Sequence, residues 1–238
     1  MRLILVVIIF SLSMWGFAGD VVFEKKASGE AQLVQKGPEK MWCPVCGMNL
    51  KMYYKTSHVL ELRGGHSKQY CSIRCMVQDF EKLSTVVKRI LVIDALTEKL
   101  TSAQKAIYVV GSKVPGTMSK VSKIAFGDVK DAEEFQKQMG GELMSFINAG
   151  RAAKASMAED IAMTDTKRKK MMYPKGEKIF NSICDKSINP MTYKHINELK
   201  AYIKFNNKCG KTIKEPELQA VALYLWDVVR VESSPDLF

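Results

Sequence analysis

The chain predicts an α+β fold: tandem ββαβ units over 42–148, then a small all-α domain over 171–238. Three observations carry that prediction. Two short apolar strand patterns, one helical pattern and a third strand pattern occur in that order, and the order then recurs further along the chain. Gly-rich turn chemistry separates these elements, as at Gly64-Gly65 and Gly140-Gly141. Beyond 149 the strand pattern stops, and Ala-, Lys- and Met-rich sequence leads into helical segments.

In the first unit, His58-Val59-Leu60-Glu61-Leu62 reads as a strand, and Gly64-Gly65 turns it into a second strand over 67–70. Residues 71–84 place Ile73, Met76, Val77 and Phe80 on one helical face, and 86–95 is a β-rich buried run. The second unit repeats the order with strands at 105–110 and 121–126. A helix follows over 129–139, with Asp128 as its N-cap and Gly140-Gly141 closing it, and then a strand over 142–147. A helical connector is expected over 149–170. In the last segment, helices are expected from Gly176, over 193–205, and over 216–229 with Pro216 in the first turn.

The apolar and charged fractions, 47% and 26%, exclude a disordered or fibrous chain. A formal charge of +11 raises the question of nucleic acid, but the Lys and Arg residues are scattered. The one dense run, Lys167-Arg168-Lys169-Lys170, falls in the expected connector, so no nucleic-acid binding is predicted. The charge suits an acidic protein partner, or weak association with an anionic membrane surface.

The N-terminus predicts export. Met1-Arg2 precedes an apolar run from Leu3 to Ile9, and Gly16-Phe17-Ala18 offers a small-x-small cleavage site. The apolar stretch falls short of the roughly 20 residues a span requires, so residues 1–18 read as a cleavable signal peptide. Without a cysteine at the cut, no lipid anchor is expected, and a bacterial chain of this kind would be periplasmic.

Export alters how the 6 cysteines read, since an oxidising compartment favours disulfides. Cys43/Cys46 and Cys71/Cys75 are too closely spaced to staple a fold usefully. Soft sulfur donors select Cu(I), Zn(II) or iron–sulfur iron over hard cations. Gly47 permits a sharp turn that carries the Met48 thioether toward Cys46; thiolate with thioether favours Cu(I), because zinc sites seldom use methionine. Structural disulfides remain the alternative for the first pair. Cys71 and Cys75 read as neighbours in a first helical turn, where the helix dipole favours thiolate, or as small apolar residues of a core face. Met118 sits in the polar loop Lys113-Val114-Pro115-Gly116-Thr117-Met118 with no packing reason to be there, so it joins the candidate ligands. His58 and His66 flank the first hairpin and read as hydrogen-bonded or surface imidazoles.

Segment 171–238 is informative for what it lacks. Gly176, Phe180 and Cys184 resemble the first helix of a class I cytochrome c, and 218–228 resembles its last. Covalent haem needs Cys-x-x-Cys-His, whereas the sequence here is Cys184-Asp185-Lys186-Ser187-Ile188. A haem-less helical domain is expected, as is an unrelated helical fold. A Cys184–Cys209 disulfide would close a loop of about 26 residues and contribute roughly 3 kcal/mol.

Taken together, Cys46-Gly-Met48-Asn-Leu, Ala106-Ile-Tyr-Val-Val-Gly111-Ser, Gly116-Thr-Met118 and Asp131-Ala-Glu-Glu-Phe135 through Gly140-Gly141 resemble the NosL family. These are copper accessory proteins of nitrous oxide reductase, and the likeness covers 42–148. The resemblance implies a tandem ββαβ fold, no catalysis, and Cu(I) delivery in the periplasm to apo nitrous oxide reductase or another copper-handling protein. By position it implies that Cys46, Met48 and Met118 carry copper. The added Cys43, Cys71 and Cys75 make 43–80 similar to a TRASH or YHS-type module as well. That similarity implies either further Cu(I) ligands or a structural Zn(II) site for protein contacts. A thiol oxidoreductase using Cys43-Pro44-Val45-Cys46 ranks last, because Gly47 interrupts the helix such an enzyme needs.

Overall fold

The computed structural model describes residues 23–233; the expected signal peptide, 1–18, lies outside them. Among the described residues no helix is long and apolar enough to cross a membrane.

The first unit is β1 (His58–Leu62), β2 (Ser67–Tyr70), α1 (Ile73–Leu83) and β3 (Val87–Ile93). Its strands are antiparallel and ordered β2-β1-β3, with His58 opposite both Tyr70 and Val92. The second unit is β5 (Ile107–Val110), β6 (Lys123–Phe126), α2 (Val129–Met139) and β7 (Glu142–Ser145), ordered β6-β5-β7. In both units the first strand lies between the second and third, so the predicted tandem ββαβ architecture holds in topology as well as in order. Asp128 caps α2, accepting from the Lys130 amide.

Two departures have local causes. β4 (Leu100–Ser102) adds a fourth strand beside β3, and three residues are too few to display a strand period. The last strand of unit two stops at Ser145 because its side chain caps the next helix, accepting from the Asn148 amide. That helix, α3 (Phe146–Ala155), buries Ala149 and Ala153 completely in the core shared by both units.

The expected connector is thus helical but packed. It continues as α4 (Met157–Lys167), passes through a π-turn (Arg168–Met172), and runs directly into α5 (Tyr173–Ile183). The basic run belongs to this packed helix: Arg168 makes an ion pair with Asp227 at 3.1 Å.

The C-terminal segment is all-helical, with α5 followed by α6 (Ile196–Phe205) and α7 (Glu215–Tyr224), and Cys184–Cys209 closing a disulfide. Gly176 does not open α5. It lies within it, where a Cβ would collide with the Ala220 carbonyl, so glycine lets α5 and α7 approach closely. This helical core is shared with the first unit. Trp42, the residue before Cys43, is buried among Leu199, Ile203, Leu218 and Val221.

Candidate metal centre

The first ligand loop is a backbone knuckle. The Gly47 amide donates to the Cys43 carbonyl at 2.8 Å, and the Cys43 amide donates to the Met48 carbonyl at 2.9 Å. Gly47 adopts φ +72°, a conformation available to glycine at little cost, and this turns the chain between Cys46 and Met48. The second pair comes from the end of β2. Cys71 precedes the N-cap Ser72 and so lies outside α1, a correction to the shared-turn expectation. Cys75 is in the first turn, its amide donating to the Ser72 hydroxyl at 3.3 Å.

The two pairs converge. The Sγ atoms of Cys43, Cys46, Cys71 and Cys75 all lie within 4.8 Å of one another, and each residue is at most 1% exposed. Cys46 and Cys71 are separated by 3.4 Å, and Cys71 and Cys75 by 3.7 Å. A tetrahedral metal with four sulfurs at about 2.3 Å sets them about 3.8 Å apart, so the four thiols have the dimensions of such a site. Their protons are unequally held. Thiol hydrogen bonds from Cys43, Cys46 and Cys71, aided by the Arg74 charge, hold Cys75 well below the usual thiol range. Burial pushes Cys43 up, and hydrogen bonding to Cys43, Cys46 and Cys75 pushes Cys71 up. A bound cation would displace those remaining protons.

Beside the tetrad lies a cleft of about 490 Å³ whose lining includes Cys46, Met48 and Met118. The three residues that the sequence singled out as a soft set therefore share one cavity, and Cys46 belongs to both tetrad and cleft. Met118 reaches it from the β5–β6 loop with φ +56°, a left-handed conformation that costs a non-glycine residue of order 1 kcal/mol. That loop is tied to the cysteines through Thr56, whose hydroxyl donates to the Cys71 carbonyl at 2.7 Å and lies 3.2 Å from the Thr117 hydroxyl.

Residues 36–153 match the NosL family model. The chain carries a NosL domain. Among solved structures it is similar to the copper chaperone NosL from Shewanella denitrificans, at 26% identity and a TM-score of 0.39, over 49% of this chain and 92% of that one. No curated protein matches the chain.

The NosL domain is gripped from outside its own boundaries. Lys200 on α6 has a fully buried side chain whose Nζ donates to the Gly47 carbonyl (2.8 Å), Glu215 Oε1 (2.6 Å) and Gln219 Oε1 (2.7 Å). Gln219 Nε2 in turn donates to the Cys46 carbonyl at 2.9 Å. The C-terminal helices thus fix the backbone of Cys46 and Gly47, and no spacing in the sequence signals this pairing across some 150 residues. His58 is not a ligand candidate: its ring nitrogens meet the Thr56 carbonyl and the Tyr108 hydroxyl, and burial lowers its pKa to about 4. His66 and His195 line a separate cleft together with Pro44.

Proposed function

We propose that this protein is a periplasmic Cu(I) chaperone, without catalysis of its own, that delivers copper for the maturation of nitrous oxide reductase. The observation that carries this reading is the meeting of Cys46, Met48 and Met118 in one cleft. One thiolate and two thioethers are soft donors of low total charge, a combination that suits Cu(I) and that zinc rarely accepts. The match of residues 36–153 to the NosL family supports copper as the cargo. The expected signal sequence supports the compartment.

Delivery needs ligands that leave one at a time. The half-buried thioethers of Met48 and Met118 face open space, so an incoming thiol or imidazole of an acceptor can replace them before Cys46 lets go. The tetrad is enclosed and connects to the cleft through Cys46, so in this reading Cys43, Cys71 and Cys75 hold metal in reserve or stabilise the loop. The net charge of +11 suits steering toward an acidic acceptor.

A second reading, a structural Zn(II) module for protein contacts, is favoured by one observation: four buried thiols at tetrahedral spacing resemble a closed zinc site. The two readings differ in what the methionines do. Copper-loaded protein, incubated anaerobically with apo nitrous oxide reductase, is expected to restore nitrous oxide reduction. A Met48→Leu/Met118→Leu double variant should bind Cu(I) at least about tenfold more weakly, no less than the loss typical of an outer-shell partner, and so carry less copper to the acceptor. Reactivation no faster than from buffered free Cu(I), by the unsubstituted protein, would contradict the proposal.

A further inference from the structure

The cleft holds more sulfur than Cys46, Met48 and Met118. Met52 and Met172 also line it, so four of the chain's 14 methionines meet beside a single cysteine. Exposure rises outward, from Cys46 at 1%, through half-buried Met48, Met118 and Met172, to Met52 at 49% at the mouth. Met172 comes from neither ββαβ unit. It is the last residue of the π-turn Arg168–Met172, on the wall that the C-terminal helices contribute.

That wall is built rather than loosely apposed. Asp227 Oδ2 accepts from Arg168 at 3.1 Å and from the Tyr173 hydroxyl at 3.0 Å, fixing the chain on both sides of Met172. Gln219 and Lys200, also from the C-terminal helices, hold the backbone of Cys46 and Gly47. A π-turn widens the helix by one residue and often marks a functional position, because it redirects side chains at a cost in regular hydrogen bonding. Here it helps set Met172 in the same cleft as Met48 and Met118.

Resting on the copper reading above, we infer that Met172 is a further thioether ligand of the Cu(I) site, supplied by the C-terminal helical segment. The segment beyond the NosL domain thereby completes the cleft: it adds a soft donor to the lining and shields the metal from solvent. Met52, the most exposed of the four, is the first thioether that an arriving Cu(I) meets and the last that a departing one leaves.

The competing role for Met172 is packing, since it also touches the cluster of Ile196, Ala222 and Leu223. Met172→Leu preserves that packing while removing the sulfur, a near-isosteric exchange with little cost in stability. The decisive experiment follows the methionine ε-methyl carbons by NMR in the reduced, full-length protein as one equivalent of Cu(I), a diamagnetic ion, is added. The Met48, Met118 and Met172 methyl signals are expected to shift together, and Met172→Leu should weaken Cu(I) binding about tenfold, with the fold retained. Shifts at Met48 and Met118, with Met172 unmoved and M172L affinity unchanged, would overturn this inference and leave the copper reading standing. No shift at any of the three would overturn both.

Discussion

Cys46→Ser is expected to lower Cu(I) affinity by more than about a hundredfold, beyond the loss typical of removing an outer-shell partner. The reason is topological. Cys46 is the one thiol that belongs both to the buried tetrad and to the methionine-lined cleft, so its removal takes a thiolate from both places. Cys43→Ser and Cys75→Ser remove a donor from the tetrad alone, and their effect on Cu(I) affinity should be several-fold smaller. Serine is close in size to cysteine and the knuckle hydrogen bonds are backbone ones, so the circular dichroism spectrum of the variant should match that of the parent. Competition against a chromogenic Cu(I) chelator measures the loss. Parental affinity in a folded Cys46→Ser protein would remove Cys46 from the site.

The second large effect belongs to a residue with no metal-binding chemistry. Lys200→Met should destabilise the fold by about 3 kcal/mol, because it leaves a buried carbonyl and amide without the donor that satisfies them. All three ammonium protons are in use, and the Trp42 ring lies 5.1 Å from Nζ. At roughly 2–4 °C per kcal/mol for a chain of this size, Tm should fall by about 6–12 °C. The pH dependence is a sharper readout. Burial lowers the Lys200 pKa to about 8, against 10.5 for an ordinary lysine. Between those values the unfolded chain holds a proton that the folded chain has released, so this group makes stability rise with pH there. Below about pH 8 both states carry the charge and its burial cost is present in full. Lys200→Met should remove that rise, seen as a difference between parent and variant unfolding curves across the window. A Tm unchanged within about 2 °C would show that the clamp contributes little.

The sequence made legible those features whose cause is local. Asp128 caps a helix because a carboxylate at that spot can satisfy free amides, and Gly47 turns the knuckle because glycine tolerates positive φ. Cys43, Cys46, Cys71 and Cys75 could be grouped by spacing, and Met118 by its place in a polar loop, although the expectation that it lacks a packing role fails: it also packs against the main core. Their convergence within 4.8 Å is a tertiary fact that follows from β2 ending beside the knuckle. Other features had no local cause to read. Cys71 lies outside α1 because Ser72 takes the cap, although the helical spacing places Cys71 and Cys75 together. The connector reads as helical with no sign of where it packs, because alanines carry no strong apolar signal, yet Ala149 and Ala153 are small enough to bury in the core beside α1. Lys200, Gln219 and Met172 reach the site by folding the C-terminal helices back onto the knuckle. Nothing in the likeness to a cytochrome helix suggests that contact, and the family match ends at 153.

The central claim is that thiolate and thioether sulfur meet to hold Cu(I). The most direct measurement is an anaerobic titration of the reduced protein with Cu(I) against a chromogenic competitor, with Zn(II) titrated in parallel, repeated for Met48→Leu and Met118→Leu. The account predicts tight Cu(I) binding that weakens with each lost methionine, while Zn(II) binding is indifferent to both. Cu(I) affinity unmoved by either substitution would contradict it and assign the metal to the four buried cysteines alone.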